Sequence, residues 1–381
     1  MIHVSLDKKD KEDKVMKKFF TSESVTSGHP DKICDAVSDA ILDEALRQDA
    51  GSKMAVETTI KDNLIFVYGE ANTKADLDIE SIAKNKLKEI GYTEEFEVMT
   101  KVSTQSAEIY DAVMHDEAEM GAGDQGIMFG YACNETENYM PMPIYLAHRL
   151  AERLEDVRKS EENSIFKPDG KTQVTVEYDD NTPVRIDTIV VSTQHVQEAT
   201  QEEIREKIIN EVINPVIDAK MMDKDTKILV NPSGSFVVGG PFGDSGTTGR
   251  KIVVDTYGGM GRIGGGCFSS KDPSKVDRSA AYYTRYVAKN LVAAGLADRL
   301  EIEVSYAIGK SEPISIYVDT FGTGKVSDEE ILDIIHKNFD FRVSSIINQL
   351  DLKKPIYSRY SAYGHFGRTD CAWENLIELK R

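Results

Sequence analysis

The chain has 381 residues and a formal net charge of −19 at pH 7, with 40% hydrophobic and 29% charged residues. These proportions are typical of a soluble protein of two or three domains, and so acidic a surface disfavours a nucleic-acid partner. No uncharged apolar run is long enough for a membrane-spanning helix, so we expect no membrane partner.

Residues 1–18 form a highly charged extension without the apolar core of a signal peptide, and we expect them to be a disordered lead-in. The four cysteines, Cys34, Cys133, Cys267 and Cys371, lie far apart, and none belongs to a CxxC pair. This spacing argues against a zinc site or a disulfide framework and indicates a reducing, cytoplasmic compartment.

The first of three repeats begins with an amphipathic helix predicted over Pro30–Arg47, because its apolar residues follow a helical spacing and proline favours a first turn. A hairpin of Lys53–Ile60 with Leu64–Glu70 follows. A second helix is predicted over Leu77–Ile90 and ends at Gly91.

Four polar residues of this repeat are candidate site residues. His29 precedes the first helix and is either a site residue or a cap, while Asp31 in the first turn is either a Mg²⁺ ligand or an acid favoured by the helix dipole. Glu57 lies inside a predicted strand and Glu70 ends the partner strand, although glutamate is depleted in strands. Glu57 is therefore either functional or part of an exposed strand face.

The second repeat is preceded by a polar, acidic run, Ser103–Met120, which is typical of a mobile lid. A glycine-rich turn, Gly121–Gly126, then leads into an apolar strand, and its Asp124 either caps the turn or contacts a ribose or an amine. The elements of the repeat are a helix over Pro143–Arg158, a hairpin of Thr172–Tyr178 with Val184–Ser192, and a helix opened by a capping box at Thr200 and Glu203.

Between Gly239 and Lys289 the chain becomes basic and glycine-rich, with eight lysines and arginines against four aspartates. Backbone glycines beside cations predict a site for a small polyanion such as a phosphate ester. Gly259–Gly264 fits GxGxxG after a strand-like Lys251–Asp255, but no helix starts inside it, so a dinucleotide fold is disfavoured. The GxxxxGK[ST] spacing of a P-loop is absent as well.

The third repeat follows directly. Its elements are a helix over Ser274–Ala294, a hairpin of Arg299–Ile308 with Ile314–Thr320, and a capped helix over Ser327–Asn338. Ser274 and Asp277 predict a cap at the start of the first helix. Lys271 and Lys275 then lie at the positive end of the helix dipole, so they either neutralise a bound anion or form a solvated basic turn.

The repeats begin near residues 30, 143 and 274 and predict an α+β fold of three similar domains, each a sheet with helices on one face. The predicted division of the chain is an extension at 1–18, an N-terminal domain at 19–107, a lid segment at 108–120, a central domain at 121–237 and a C-terminal domain at 238–381.

Three motifs resemble the S-adenosylmethionine synthetase (methionine adenosyltransferase) family: FTSESVTSGHPDKICDAVSDAILD, GAGDQGIMFGYACNET, and GGPFGDSGTTGRKIVVDTYGG continuing to KDPSKVDRSAAY. The resemblance spans Phe19 to Glu374. It implies three domains about a pseudo-threefold axis and a homodimer with two shared active sites, often paired into a tetramer. It also implies that the sulfur of methionine attacks C5′ of ATP and that the departing triphosphate is hydrolysed to phosphate and diphosphate.

The same resemblance implies a role for each site residue. The implied catalytic residues are His29, near C5′ of ATP, and the triphosphate-binding cations Lys171, Arg250, Lys251, Lys271 and Lys275. The implied ATP contacts also include Asp124 at the ribose, Phe236 against the adenine, and Asp244. The implied methionine contacts are Glu70, Gln105, Asp244 and Lys275. Asp31 and Asp277 are implied to hold two Mg²⁺ ions per site, Asp277 from across the interface, and Glu57 is implied to bind one K⁺.

The chain departs from the family pattern in a few places. It has Gln105-Ser-Ala-Glu-Ile where QSPDI is usual, Ser235 where arginine is common, Ile263 in place of histidine and Ser270 in place of glycine. Because the core cations and carboxylates are complete, we expect an active enzyme. The alternatives are a catalytically weak homologue that binds ATP or assembles with an active partner, and an unrelated kinase, although the chain lacks an HRD-type motif.

Overall fold

The computed structural model describes residues 17–104 and 120–380. Most of the predicted N-terminal extension and of the predicted lid, together with Gln105, lies outside the described residues. The strands are β1 (Lys18–Val25), β2 (Lys53–Lys61), β3 (Leu64–Asn72), β4 (Glu97–Ser103), β5 (Gly126–Cys133), β6 (Phe166–Asp179), β7 (Thr182–His195), β8 (Lys227–Val230), β9 (Gly246–Thr247), β10 (Arg299–Tyr306) and β11 (Ser315–Asp319). The α-helices of four or more residues are α1 (Pro30–Gln48), α2 (Ile79–Ile90), α3 (Met142–Lys159), α4 (Gln201–Lys207), α5 (Ile252–Asp255), α6 (Val276–Ala293), α7 (Asp328–Asn338) and α8 (Val343–Gln349). A π-helix, Ile208–Ile213, and a short helical turn, Asn214–Val216, continue α4.

The three predicted α+β repeats are confirmed, with α1, α3 and α6 as their first helices. Each repeat contributes an antiparallel hairpin, and each hairpin is completed at one edge by a strand from another part of the chain. β9 pairs with β2, β1 pairs with β6, and β5 pairs with β10, all antiparallel. The three sheets therefore interlock, and this brings residues that are distant in sequence close together in space.

The third sheet differs from the other two. In the first two repeats the hairpin continues through a helix into a further parallel strand, β4 beside β3 and β8 beside β7. Within the described residues the third sheet has the order β11-β10-β5 and no such strand. After α7, Phe339 and Phe341 instead pack edge-on against Tyr283 of α6, at ring-centroid distances of 6.4 and 5.0 Å.

The central helices α1 and α6 are more deeply buried than the amphipathic pattern predicts. In α1, 15 of the 19 residues are buried, and in α6, 16 of the 18. Several of the buried residues are charged, and they are accommodated because they pair with one another or with backbone groups. The core around these helices is therefore partly ionic.

The local capping predictions have mixed outcomes. Gly91 ends α2 with φ 119°, and the capping box of Thr200 and Glu203 is present. The predicted cap of Ser274 with Asp277 is wrong, because the Ser274 hydroxyl donates to Asp272 and the helix begins one residue after Lys275. The strand-like Lys251–Asp255 is also a wrong prediction, since Ile252–Asp255 forms one helical turn.

Candidate active site

Six predicted site residues come together around the N-terminus of α1. We call them the His29 group: His29, Asp31, Lys171, Asp244, Arg250 and Lys251. Asp31 contacts both Arg250 and Lys251, and the charges of Lys171, Asp244 and Lys251 all act on the His29 imidazole. Lys171 comes from β6, while the other two cations follow β9, so the interlocked sheets assemble the group.

His29 is the N-cap of α1, as one of its two interpretations predicts. Its Nδ1 accepts a hydrogen bond from the Asp31 backbone N–H at 3.2 Å, so in the neutral ring the proton lies on Nε2. Burial, followed by the charge of Lys251, lowers the pKa of His29 to about 3. The side chain is therefore a neutral imidazole with one N–H donor, Nε2, free of the helix.

The Asp31 carboxylate is the centre of the His29 group. It accepts the Thr247 backbone N–H at 3.0 Å and the Lys251 ammonium at 2.6 Å, and Arg250 Nε lies 3.6 Å away. Burial acts to raise the pKa of Asp31, but the hydrogen bonds from Lys251 and Thr247 outweigh it and lower the pKa. Asp31 is therefore an ionised carboxylate held between two cations.

The chain beside Lys171 contains a buried carboxyl group that the sequence analysis did not identify. Asp169 Oδ2 accepts the backbone N–H of Gly240 at 2.8 Å, and burial raises the pKa of Asp169 to about 6. Four residues before Gly240, the Phe236 backbone N–H donates to the His195 ring Nε2, and the His195 backbone N–H donates to the Phe236 carbonyl, each at 3.0 Å. Both contacts fix the glycine-rich loop next to the His29 group.

A second set of predicted residues lies around the start of α6. We call it the Lys271 group: Lys271, Lys275, Asp277, Asp124, Glu57 and Glu70. The turn that carries Asp124 reaches α6 because the Gly123 N–H donates to the Ser274 carbonyl at 3.2 Å. Lys271 forms a β-bridge with Ala55 of β2 and an ion pair with Asp277, while Lys275 forms an ion pair with Asp272. Each lysine therefore has a carboxylate partner, and the helix dipole does not face an uncompensated cation.

Asp277 lies directly against the backbone of Gly266. A Cβ atom at position 266 would lie 2.2 Å from Asp277 Oδ2, so a side chain there would displace the carboxylate. The glycine-rich loop thus brings its backbone next to an acid at the start of α6.

Glu57 and Glu70 lie on the same face of the β2–β3 hairpin. Glu57 is opposite Tyr68 and Glu70 is opposite Ala55, so the two carboxylates are diagonal neighbours. Glu57 is half-buried and hydrogen-bonds to the Tyr68 hydroxyl; burial, followed by the charge of Glu57, raises the pKa of Tyr68. Glu57 is therefore a partnered residue rather than part of a fully exposed strand face.

The two groups are separate within one chain. Among residues 17–104 and 120–380, no hydrogen bond or ion pair joins a member of the His29 group to a member of the Lys271 group. The described residues also contain no cluster of three or more His, Cys, Asp or Glu side chains that could hold a metal. Isolated carboxylates beside cations fit Mg²⁺, which usually takes one or two carboxylates plus phosphate oxygens and waters.

The sequence analysis missed three buried aspartates of α1, Asp35, Asp39 and Asp43, which bind loops of the C-terminal part of the chain. The signal that could have found them is their spacing, because they follow Asp31 at intervals of four residues.

Sequence models of three domains of one protein family together match nearly all of the chain. Residues 17–116 match the S-adenosylmethionine synthetase N-terminal domain, 119–236 its central domain and 238–375 its C-terminal domain.

In the described part of the chain, no helix is long and apolar enough to cross a membrane.

Full-length relatives agree with these matches. The S-adenosylmethionine synthase of Clostridium tetani is 54% identical, over 96% of this chain and 98% of that protein. The S-adenosylmethionine synthase of Sorangium cellulosum is 54% identical, over 93% of this chain and 87% of that protein. The S-adenosylmethionine synthase of Clostridium botulinum is 53% identical, over 96% of this chain and 98% of that protein. The chain therefore belongs to the S-adenosylmethionine synthetase family.

Proposed function

We propose that the chain catalyses the transfer of the adenosyl group of ATP to L-methionine. The methionine sulfur attacks C5′, the C5′–O bond breaks, and the triphosphate that leaves is hydrolysed to phosphate and diphosphate before release. The observation that carries this proposal is the assembly of three cations from two distant segments around Asp31 and a neutral His29. Family membership over nearly the whole chain supports it.

The residues of the His29 group suit this reaction. A thioether needs no deprotonation, so the main requirement is to position the reactants and to stabilise charge on a leaving triphosphate. Lys171, Arg250 and Lys251 supply that charge, and the Nε2–H of His29 donates a hydrogen bond to an oxygen of the leaving group. Neither role requires a proton to be removed by a base.

The Lys271 group supplies the remaining functions. Lys271 and Lys275 bind the triphosphate, Glu70 and Lys275 bind methionine, and Asp124 contacts the ribose. Asp244 of the His29 group, Phe236 and Gln105 would complete the substrate contacts, although Gln105 lies outside the described residues. In each case the assignment rests on the family pattern and on the proximity described above.

Metal ions belong to the proposal as well. Asp31 and Asp277 would hold Mg²⁺, with two ions per site expected, and Glu57 with Tyr68 beside it would hold one K⁺. Bound Mg²⁺ would neutralise part of the triphosphate charge. Lys251 and Lys271, which now pair with those two aspartates, would then be available to phosphate oxygens.

The separation of the two groups favours a site shared by two copies of the chain. We propose a homodimer in which the His29 group of one subunit faces the Lys271 group of the other, twice per dimer; further pairing into a tetramer stays a prediction. The domain boundaries of the sequence analysis and the cytoplasmic location stay predictions too.

The test is direct. The purified chain is mixed with ATP, L-methionine, Mg²⁺ and K⁺, and the products are analysed by mass spectrometry and phosphate release. The proposal expects S-adenosylmethionine with phosphate and diphosphate in equal amounts. Failure to form S-adenosylmethionine, in a sample that binds ATP, would instead support the catalytically weak homologue.

A further inference from the structure

Helix α1 carries a row of four aspartates, Asp31, Asp35, Asp39 and Asp43, each four residues after the last. Residues at this spacing lie on one face of an α-helix, so the four carboxylates form a line along α1. All four are buried, and Asp35 and Asp39 are fully inaccessible to solvent. Buried carboxylates are costly unless they are hydrogen-bonded and paired, so each must have partners in the fold.

Each aspartate of this row accepts backbone N–H groups from a loop of the C-terminal part of the chain. Asp31 binds the N–H of Thr247 at 3.0 Å, and Asp35 binds that of Gly249 at 2.9 Å. Asp39 binds the N–H of Ser270 at 3.1 Å. The fourth aspartate, Asp43, binds the N–H groups of Tyr357 and Ser358, both at 2.8 Å.

The two middle aspartates also have buried counter-ions. Lys32 donates to Asp35 at 2.8 Å and to Asp255, the last residue of α5, at 2.5 Å. Arg278 donates to both oxygens of Asp39, at 2.9 and 2.6 Å. These contacts hold the carboxylates in one orientation, because neither can rotate without breaking a buried ion pair.

The residues that follow the two bound N–H groups are proposed site cations. Arg250 and Lys251 come directly after Gly249, and Lys271 comes directly after Ser270. Lys32 additionally fixes the far end of the first segment through Asp255. The row therefore fixes both cation-bearing segments to one rigid helix, while the cationic side chains themselves are partly exposed.

We infer that Asp35 and Asp39 are positioning residues, which set the backbone of the triphosphate-binding cations without touching substrate. The inference rests on the proposed function, because it assigns a role towards the triphosphate. The inference also distinguishes Asp35 and Asp39 from Asp43. Asp43 makes the same kind of contact, but the loop it binds carries none of the proposed site residues.

The test uses three asparagine variants, Asp35→Asn, Asp39→Asn and Asp43→Asn. Asparagine keeps the size of aspartate, but its N–H₂ group must face one of the donors that the carboxylate bound, which is a backbone N–H or, at positions 35 and 39, the counter-ion. Each variant therefore loosens one loop. We would measure hydrolysis of added tripolyphosphate and S-adenosylmethionine formation, with kcat and KM separated, at a temperature where circular dichroism shows each variant folded. Unfolding by urea measures the stability of each variant.

We expect all three variants to be destabilised, and only Asp35→Asn and Asp39→Asn to lose activity, on the order of 10²-fold in kcat/KM for tripolyphosphate. If Asp35→Asn does not fold, Lys32→Met/Asp35→Asn, which keeps the net charge of the cluster, carries the same expectation. Equal losses in all three variants, or none in any, would overturn the inference while leaving the proposed function intact. A wild-type chain without either activity would overturn the proposed function and this inference with it.

Discussion

The His29 group and the Lys271 group contain similar residues but differ in charge balance. In the His29 group three cations surround two aspartates, and Asp31 is shared between Arg250 and Lys251. The Lys271 group contains two lysines and four carboxylates, and the lysines are already paired, Lys271 with Asp277 and Lys275 with Asp272 outside the group. The His29 group therefore has an excess of positive charge, and the Lys271 group an excess of negative charge.

For the proposed reaction, this difference would leave neither group a complete site by itself. A triphosphate with Mg²⁺ needs both an excess of cations and carboxylates that can take the metal. Methionine brings an ammonium and a carboxylate to the same place. The two groups are complementary in charge, and the following predictions test whether they act together.

The largest effect is expected from removing one cation from either group. Lys251→Ala and Lys271→Ala should each lower kcat/KM by about 10²-fold or more, because each removes a preorganised charge from the leaving triphosphate. Lys84→Ala, which removes a partly exposed lysine that pairs with Glu80, is the control and should leave the rate unchanged. A normal rate for Lys271→Ala would instead support the alternative interpretation, in which Lys271 and Lys275 form a solvated basic turn.

A smaller effect, confined to the Lys271 group, concerns Glu57. With Na⁺ as the balancing ion, the wild type should be activated as K⁺ rises, and Glu57→Gln should reduce that activation about tenfold while Mg²⁺ dependence persists. Glu97→Gln, in the exposed strand β4, is the matched control. A full K⁺ response in Glu57→Gln would mean that another residue binds the ion.

Asp169, next to the His29 group, should make the stability of the fold depend on pH. Its pKa rises from the usual 3.8 to about 6 in the folded chain, so the fold loses stability as pH rises from 3.8 to 6 and loses no more above that. Asp169→Asn should therefore raise the free energy of unfolding by about 3 kcal/mol at pH 8 and change it little at about pH 3.5. Urea unfolding at both pH values measures this, and equal shifts at the two would contradict the role of ionisation.

The smallest effect is expected at Ser270, where the family usually has glycine. Ser270 has φ 81°, a conformation that favours glycine, and its buried hydroxyl has no hydrogen-bond partner among the described residues. Ser270→Gly should stabilise the chain by about 1 kcal/mol. Ser269→Gly should do the opposite, because the Ser269 hydroxyl donates to Asp39 at 2.9 Å. Thermal unfolding of the two variants measures both effects. Destabilisation by Ser270→Gly would contradict the claim that the backbone of Ser270 is strained.

Much of the fold follows from local sequence signals. The bounds of α1, the stop at Gly91 and the cap at Thr200 depend on residues close in sequence, and these predictions are confirmed. The pairing of β9 with β2, or of β1 with β6, could not be predicted, because nothing local specifies which distant strand completes a hairpin. Nor does a local signal explain why the described part of the third sheet has no fourth strand, where Phe339 and Phe341 pack against Tyr283 of α6 instead.

The candidate site residues could be named from the sequence, but their arrangement could not be predicted. The basic, glycine-rich segment indicated a polyanion, and the family resemblance named the residues. The ion pairs of Lys271 with Asp277 and of Lys275 with Asp272 could not be predicted from the sequence. They compensate the two lysine charges, which the sequence placed unpaired at the positive end of the helix dipole. The aspartate row of α1 was visible as a spacing, but the backbone N–H groups that it binds lie more than 200 residues away.

The shared site is tested most directly by mixing two inactive chains, Asp31→Asn and Asp277→Asn. Each variant alone should be inactive, because every site lacks one carboxylate. Heterodimers would contain one site with both changes and one with neither, so an equimolar mixture that exchanges freely should recover about one quarter of wild-type activity. Heterodimers that form, as seen by native mass spectrometry, and yet produce no S-adenosylmethionine would contradict the claim that the His29 and Lys271 groups of different subunits share a site.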